Sequence, residues 1–297
     1  MVTAPASRSS LTPTRGRLYR INVLVLVLLC GLASPARAAC SFFHDFPGPG
    51  VDPTIWAYPT GDASFYGRTQ IRPGYPPILN GSVCLPLDTH NPSARTPGDS
   101  FFGSEIFTRV RLSRGMGCRV EVRGRLVPPI VNGLVGGIFL YRYFEETRRH
   151  SEIDFELLSN LHSNSADKFK QPDQIQTNLY VDEPFGAGRF AFVAIPGLDV
   201  TQFNTYRFDW LPDRVRWYIN DQFVRTESRS PKEDLFLHLN FWAPACDWAI
   251  ACDPNLIPAS RPEDNRTYYF CVDWVRASEI EPADVQFRSA WKRVLTH

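Results

Sequence analysis

The chain has 297 residues, a formal net charge of +1, and 43% hydrophobic and 13% aromatic residues. A charge this close to zero gives no general attraction for nucleic acid or for an anionic membrane surface. The length suits one large β domain, because such domains can reach about 250 residues without dividing.

The first predicted element is a secretory signal at residues 1–38. Residues 1–20 contain four arginines and no acid, Ile21–Ala33 is an apolar run, and Ala36-Arg37-Ala38 offers small residues to a signal peptidase. A transmembrane anchor is the alternative, but a span needs ~20 apolar residues and this run is shorter. Cleavage would remove five arginines from a net charge of +1 and leave −4. The sequence therefore predicts a secreted or periplasmic protein with no membrane contact after cleavage.

Six cysteines remain after that cleavage, namely Cys40, Cys84, Cys118, Cys246, Cys252 and Cys271. In an oxidising compartment they predict up to three disulfides, with fifteen connectivities open. Cys246 and Cys252 would close a short loop and are predicted to pair. A zinc site is the alternative, but no C-x₂-C pair or His-x₃-His spacing supports it, so no metal site is predicted.

The body of the chain, residues 39–297, is predicted to be one all-β domain. Arg119–Arg123 alternates polar and apolar residues with a period of two. Arg214–Ile219 does the same before the turn pair Asn220-Asp221 and a second run, Gln222–Arg225, which predicts a hairpin. Many short strands bounded by turn residues indicate an antiparallel β-sandwich.

The segment Glu152-Ile153-Asp154-Phe155-Glu156 carries the predicted chemistry. Alternate residues of a strand point to one face, so the three acids form a row while Ile153 and Phe155 face the core. Neighbouring acids raise one another's pKa, which makes the row costly for stability. A glycosidase uses such coupling, because it needs one ionised and one protonated carboxyl group. An exposed acidic face and a calcium site are the alternatives.

The row also predicts a retaining mechanism. The Cα atoms of Glu152 and Glu156 would lie ~13 Å apart, and long side chains leaning toward a sugar can bring the carboxyls to ~5–5.5 Å. Glu152 is predicted to attack the anomeric carbon. Glu156 is predicted to protonate the leaving oxygen and then to activate water or a sugar hydroxyl, while Asp154 holds a hydrogen bond to the nucleophile.

The motif Glu152-Ile153-Asp154-Phe155-Glu156 resembles the E-[aliphatic]-D-x-E signature of glycoside hydrolase family 16, which includes bacterial lichenases and plant xyloglucan endotransglucosylases. His150 and Leu157-Leu158 look like the flanks of that motif in the xyloglucan enzymes, although Ser151 stands where Asp is usual. Further segments are similar to family motifs in the same order, at residues 43–46, 52–56, 103–106, 176–180, 206–220, 239–249 and 272–276. The resemblance implies a curved jelly-roll sandwich with a concave, sugar-binding cleft.

Substrate-binding residues are predicted from the resemblance and from the chemistry of sugars. Sugar rings lie against aromatic faces, so Trp242 and Trp248 are predicted stacking platforms. Asn178, Tyr180 and Asn240 are predicted to hydrogen-bond sugar hydroxyls. Glu105 is similar to the glutamate that reaches the sugar in lichenases, with a surface acid as the alternative. His150 completes the predicted set as a residue that positions the nucleophile, with a general base as its alternative. Core packing is the alternative for the two tryptophans, and a turn or sheet hydrogen bond is the alternative for Asn178, Tyr180 and Asn240.

These observations predict a secreted, retaining endo-β-glycanase that acts on a β-glucan-type polysaccharide as a monomer. No cofactor is predicted to be required, although a structural calcium ion is left open, and no nucleic-acid partner is expected. One alternative is a xyloglucan-type transglycosylase, in which a sugar hydroxyl replaces water. The other is a non-catalytic carbohydrate-binding protein of the same fold.

Overall fold

The computed structural model describes residues 40–61, 65–162 and 173–281. The predicted signal at residues 1–38 lies outside these ranges, and so does the boundary of the predicted domain at residue 39. Within them the regular structure is β, with helix confined to short 3₁₀ turns such as Ser159–Leu161 and Pro262–Asp264. None of the described helical turns approaches the length and apolarity that crossing a bilayer requires.

Seventeen strands run through the described residues. They are β1 Ser41–His44, β2 Trp56–Ala57, β3 Phe65–Tyr66, β4 Thr69–Ile71, β5 Ile78–Leu79, β6 Ser82–Asp88, β7 Phe101–Thr108, β8 Cys118–Leu126, β9 Val135–Phe144, β10 Arg149–Leu158, β11 Gln174–Glu183, β12 Ala191–Ala194, β13 Asn204–Trp210, β14 Val215–Ile219, β15 Gln222–Glu227, β16 Phe236–Trp242 and β17 Thr267–Glu279.

The strands form two sheets that pack against each other. The first, here called the groove sheet, has the order β2-β7-β16-β9-β10-β11-β12 and is antiparallel throughout. The second, here called the outer sheet, has the order β5-β6-β17-β8-β13-β14-β15, with β1 also paired to β17. Strand β7 belongs to both, since its first residues pair in parallel with β4. The predicted all-β sandwich is therefore confirmed.

The core between the sheets follows the predicted alternation. Ile153, Phe155 and Leu157 of β10 are fully buried, and the Phe155 ring lies 5.0 Å from Phe208 and 5.4 Å from Tyr206 of the outer sheet. Burying a side chain of this size stabilises the fold by about 1.5–3 kcal/mol. The Trp217 indole crosses the same core and donates a hydrogen bond to the Asp154 carbonyl at 2.9 Å. The outer sheet thus holds the middle of β10 in place.

The predicted hairpin is confirmed between β14 and β15. Asn220 and Asp221 form its two-residue turn with φ values of 49° and 63°. Two consecutive left-handed residues are the signature of a type I′ turn, whose twist matches that of the strands. Asparagine and aspartate tolerate this conformation better than most residues.

Three disulfides join the six cysteines. Cys246 pairs with Cys252, as predicted. Cys40, just before β1, pairs with Cys118 of β8, and Cys84 of β6 pairs with Cys271 of β17. The sequence left these two pairings open, because cysteine spacing alone does not show which strands become neighbours.

Candidate active site

A broad groove crosses the exposed face of the groove sheet. It encloses about 1520 Å³ and is lined by residues from β7, β16, β9, β10, β11 and β12, with aromatic rings along much of both walls. Because the groove runs across the strands from one side of the sheet to the other, an extended polymer can pass through it. The predicted concave cleft is therefore present.

Glu152, Asp154 and Glu156 all line the floor of this groove. They lie on β10, near the middle of the sheet between β9 and β11. The geometric part of the prediction is confirmed, because three alternate positions of one strand project together into the groove. The catalytic roles of the three acids are a separate matter and stay predictions.

Burial and mutual repulsion act strongly on this row of acids. Burial, followed by the charge of Glu105, raises the pKa of Glu152 to about 8. Burial, followed by the charge of Glu152, raises the pKa of Asp154 well above its usual value. Burial and the charges of Asp154 and Glu152 do the same for the pKa of Glu156. Since the charge of Glu152 acts on both others, its ionisation favours a proton on Glu156.

No arginine or lysine of the described residues forms an ion pair with the row. The positive charge of Arg225 lowers the pKa of Asp154 only as the smallest of four effects. Strand β11 supplies neutral partners instead, since Gln176, Asn178 and Tyr180 lie opposite Glu156, Asp154 and Glu152 in the register. The Gln176 amide donates a hydrogen bond to Glu156. Neutral donors position the carboxyls without cancelling the repulsion that separates their protonation states.

His150 is the one predicted binding residue that does not line the groove. Its side chain is completely buried, with its ring centroid 4.2 Å from those of Tyr180 and Phe185. Its Nε2 lies 3.4 Å from the Glu152 carboxylate. Burial lowers the pKa of His150 to about 4, so the ring is neutral at neutral pH. The structure thus places His150 beside Glu152 and outside the lining of the groove, and its role stays a prediction.

A β-bulge in β11 lies opposite the start of the acid row. His150 pairs with Glu183 and Glu152 with Tyr180, so the extra residue is on β11, and the Ser151 side chain is buried away from the groove. The Ser151 hydroxyl donates to Glu233 at 3.1 Å and accepts from the Asp182 amide at 2.9 Å. Bulges of this kind re-aim neighbouring side chains and are frequent beside active sites.

The other predicted binding residues all line the groove, namely Glu105, Asn178, Tyr180, Asn240, Trp242 and Trp248. Trp242 and Trp248 lie together at one end of it, with ring centroids 6.0 Å apart. Trp248 sits on the loop closed by Cys246 and Cys252. The Arg68 guanidinium fixes this region by donating to the carbonyls of three residues, Pro244 and Leu256 at 2.9 Å and Asp253 at 3.1 Å.

A buried polar cluster forms the wall on the β7 side. The Glu105 carboxylate is 7% exposed, so the alternative of a surface acid is wrong. It accepts a hydrogen bond from the Tyr66 hydroxyl at 2.8 Å and lies 2.7 Å from Nδ1 of His238. Asn240 donates to Tyr66 at 3.2 Å and packs over Gly137, where an added Cβ would lie only 2.2 Å from its amide oxygen. Glycine at 137 therefore makes room for this cluster.

The sequence did not single out Tyr66, Gln176 or His238 as site residues. For two of them the sequence does contain a signal, which is their spacing from other predicted site residues. His238 precedes Asn240 and Trp242 at intervals of two, and Gln176 stands in the same relation to Asn178 and Tyr180. Residues spaced in this way on a strand share a face. Tyr66 carries no such signal, because it reaches the groove from a two-residue strand.

No group of three or more His, Cys, Asp or Glu side chains in residues 40–61, 65–162 and 173–281 is arranged to hold a metal ion. Calcium also binds through backbone and amide oxygens. A structural calcium ion therefore stays an open expectation.

Comparison with known proteins gives consistent results. The sequence profile described as "Glycosyl hydrolases family 16" matches residues 90–274. A β-glucanase of Brevibacillus brevis is 28% identical over 160 residues, which is 52% of this chain and 53% of that protein. The endo-1,3-1,4-β-glycanase ExoK of Rhizobium meliloti is 31% identical over 126 residues, or 42% of this chain and 40% of that protein. The chain thus spans about half the length of the curated relatives it matches.

Solved structures show the same fold. A prokaryotic β-1,3-1,4-glucanase (lichenase) from a mouse hindgut metagenome superposes with a TM-score of 0.61 at 20% identity, covering 80% of this chain and 99% of that one. The catalytic domain of an endo-1,3-β-glucanase (laminarinase) from Thermotoga petrophila gives 0.61 at 16% identity, covering 81% and 97%.

Proposed function

This chain belongs to glycosyl hydrolase family 16, and from that premise we propose that it is a retaining endo-β-glycanase acting on a β-glucan-type polysaccharide. One observation carries the proposal: a buried aspartate and two partly buried glutamates share the floor of an open groove and have no cationic partner among the described residues. A binding protein has no use for this arrangement, because the repulsion lowers stability without contributing contacts that neutral residues would not supply.

The electrostatics support a division of roles between the two glutamates. Glu152, whose charge raises the pKa of both Asp154 and Glu156, would attack the anomeric carbon, forming a covalent glycosyl ester while the bond to the leaving oxygen breaks. Glu156 keeps its proton and would transfer it to that oxygen. In the second step Glu156 would take a proton from water, whose oxygen attacks the anomeric carbon and releases Glu152. The first step leaves Glu156 ionised and able to accept a proton, and the second step restores the protonated Glu156 and the ionised Glu152.

Asp154 would control the charge of the row. It lies between the two glutamates and its carbonyl is held by the Trp217 indole. Its raised pKa keeps a proton available for a hydrogen bond to Glu152, which would steady the nucleophile. His150 would position Glu152 from beneath as a neutral ring.

The shape and lining of the groove support a polymeric, neutral substrate. The groove crosses the whole sheet, so a chain can bind in its middle, as endo-acting cleavage requires. Trp242 and Trp248 offer faces for the C–H surfaces of sugar rings. Its floor contains Glu105, Glu152, Asp154 and Glu156, which disfavours polysaccharides that carry sulfate or carboxylate groups. The printed names of the curated relatives, β-glucanases among them, support a β-glucan.

Export of the chain as a monomer is part of the same proposal. The three disulfides are typical of oxidising compartments, which supports a secreted or periplasmic location. We also propose that turnover requires no cofactor. Adding EDTA to the purified protein tests this, because rates should be unchanged; a lower melting temperature with EDTA would instead reveal a structural calcium ion.

Product analysis tests the proposed function most directly. We expect the protein to release oligosaccharides from a mixed-linkage or β-1,3-glucan, and proton NMR to show the β-anomer first, since two inversions retain configuration. Xyloglucan, galactans and labelled acceptor oligosaccharides belong in the same panel. Transfer to an acceptor in preference to water would favour the transglycosylase. Binding of glucan with no product from any polymer would contradict an enzymatic role.

A further inference from the structure

His238 occupies a position that the proposed mechanism does not use. It lies in the middle of β16, paired across the sheet with Phe107 of β7 and Phe139 of β9. Its ring stacks between theirs, with centroids at 5.0 and 4.8 Å and interplanar angles of 18° and 24°. Three parallel rings on adjacent strands hold the imidazole at a fixed orientation, so the directions of its two nitrogens are fixed as well.

Glu105 determines which nitrogen carries the proton. Nδ1 of His238 lies 2.7 Å from the Glu105 carboxylate. The other carboxylate oxygen accepts from Tyr66, and burial together with the charge of Glu105 raises the pKa of that tyrosine, which keeps its hydroxyl a donor. An ionised carboxylate can only accept, so Nδ1 must donate to it. In the neutral ring Nε2 then carries a lone pair.

That lone pair has no acceptor role inside the described structure. His238 lines the groove and its side chain is 12% exposed, while no hydrogen bond to Nε2 is formed by the described residues. The position also suits a substrate. His238, Phe139 and Asp154 follow one another on adjacent strands, so His238 lies about 10 Å from the acid row by ordinary strand spacing. A sugar near the cleaved one would pass over it.

We propose that His238 is a specificity-determining residue whose Nε2 accepts a hydrogen bond from a sugar hydroxyl, and that Glu105 acts through His238 by fixing the tautomer. This inference rests on the proposed function, because it assumes that a glycan chain occupies the groove. It predicts selection for a free hydroxyl at one position of the chain. A sugar with that hydroxyl methylated or otherwise substituted would leave Nε2 without a donor and would clash with the ring stack.

Two substitutions of His238 distinguish the role of Nδ1, which faces Glu105, from the role of Nε2. In His238→Asn the amide can still reach Glu105, but nothing replaces Nε2. In His238→Gln the longer side chain can place an oxygen near Nε2. We expect His238→Asn to raise KM for long oligosaccharides about three- to tenfold, the effect of one lost hydrogen bond, with kcat nearly unchanged. His238→Gln should lie closer to the wild type. Oligosaccharides too short to reach β16 should show no difference.

His90→Asn is the matched control, since this histidine bonds the Ala259 carbonyl and does not line the groove. Equal KM changes for short and long oligosaccharides, a fall in kcat at constant KM, or a larger effect of His238→Gln than of His238→Asn would each overturn the proposal. A wild type that neither cleaves nor binds any β-glucan would instead refute the proposed function.

The wild-type protein provides a test that does not depend on variants folding. With ¹⁵N-labelled histidine, NMR should show His238 protonated at Nδ1 and bare at Nε2, and the Nε2 signal should move when a non-hydrolysable thio-linked β-glucan oligosaccharide is added. A ring protonated at Nε2 alone, or a signal that stays in place at saturation, would overturn the inference.

Discussion

Two strands of this molecule alternate charged and apolar residues in the same way and treat their charges differently. Strand β8 of the outer sheet contains Arg119-Val120-Glu121-Val122-Arg123, whereas β10 of the groove sheet contains Glu152-Ile153-Asp154-Phe155-Glu156. On both, the apolar residues are buried in the shared core. The strands differ in what lies across from the charged residues.

On the outer sheet the acid of β8 and the acid opposite Arg119 each meet an arginine. Arg119 pairs with Asp209 at 2.9 Å, and Glu121 pairs with Arg276 at 2.8 Å. Opposite charges placed in this way contribute about 0.2–1 kcal/mol for each pair. On β10 the same spacing carries like charges and the neighbouring strands offer neutral residues. Alternation therefore fixes the fold of both strands, while the signs of the charges distinguish a stabilised surface from a reactive one.

The largest expected contrast comes from removing one acid from each strand. Glu152→Ala should lower kcat by about 10⁴-fold, because no other residue can form the glycosyl ester, and should not lower the melting temperature, because burial and the charge of Glu105 oppose ionisation of Glu152 in the folded protein. Glu121→Ala should keep activity and lower the free energy of unfolding by about 1 kcal/mol through its lost pair with Arg276. Steady-state kinetics and thermal unfolding check both. A Glu152→Ala protein that is active but unstable would contradict the distinction.

Glu156→Ala should lower kcat by about 10²–10⁴-fold, since it removes the proton donor. With a substrate bearing a good leaving group, added azide should restore turnover and yield a β-glycosyl azide, because azide replaces the water that Glu156 activates. Product identification by NMR gives the result. Failure of azide to restore any rate would leave Glu156 with a structural role.

A smaller effect is expected on stability. Asp154→Asn should raise the free energy of unfolding at pH 8, because burial and the charge of Glu152 oppose ionisation of this carboxyl group in the folded protein. The raised pKa of Asp154 means that the unfolded chain loses this proton at lower pH than the folded protein does, so the wild type loses stability as pH rises. The gain should vanish near pH 3.

Asp209→Asn is the matched control for that measurement. This acid lies between Arg119 and Arg207, so its loss should lower the free energy of unfolding at pH 8. Urea unfolding at several pH values compares the two variants. If Asp154→Asn and Asp209→Asn change the free energy of unfolding in the same direction, the contrast between the two strands is refuted.

The smallest expected effect concerns pH dependence. Burial and Glu105 raise the pKa of Glu152 to about 8, so kcat/KM should rise with pH well beyond the usual range of a carboxyl group. Glu105→Gln removes the second of these causes and should move this acid limb to lower pH by up to about one unit. Profiles of kcat/KM report groups of the free enzyme and are the suitable measurement. If the acid limb does not move, Glu105 does not raise the pKa of Glu152.

Much of the fold and the middle of the site were accessible from sequence, since both follow from local alternation. The shared face of Glu152, Asp154 and Glu156, the hairpin at Asn220-Asp221 and the Cys246–Cys252 bond depend on residues close together in the chain. Such features need only the period of a strand or a short loop.

What could not be predicted depends on which strands become neighbours. His150 belongs to the strand of the acid row, yet Tyr180 and Phe185, which follow on β11 and in the loop after it, cover its ring and bury it. His238 reaches Glu105 across 133 positions of sequence, and Tyr66 reaches Asn240 across 174. Alternation assigns a residue to a face but does not tell which strands will share it.

The bonds from Arg68 have a consequence for affinity. One guanidinium holds three carbonyls of the segment that carries Trp248, and a short disulfide closes its loop. The stacking platform is therefore preorganised, and the conformational entropy of ordering it is lost during folding and not when a sugar arrives. Binding at that end of the groove should consequently show a smaller entropic penalty than a free loop would impose.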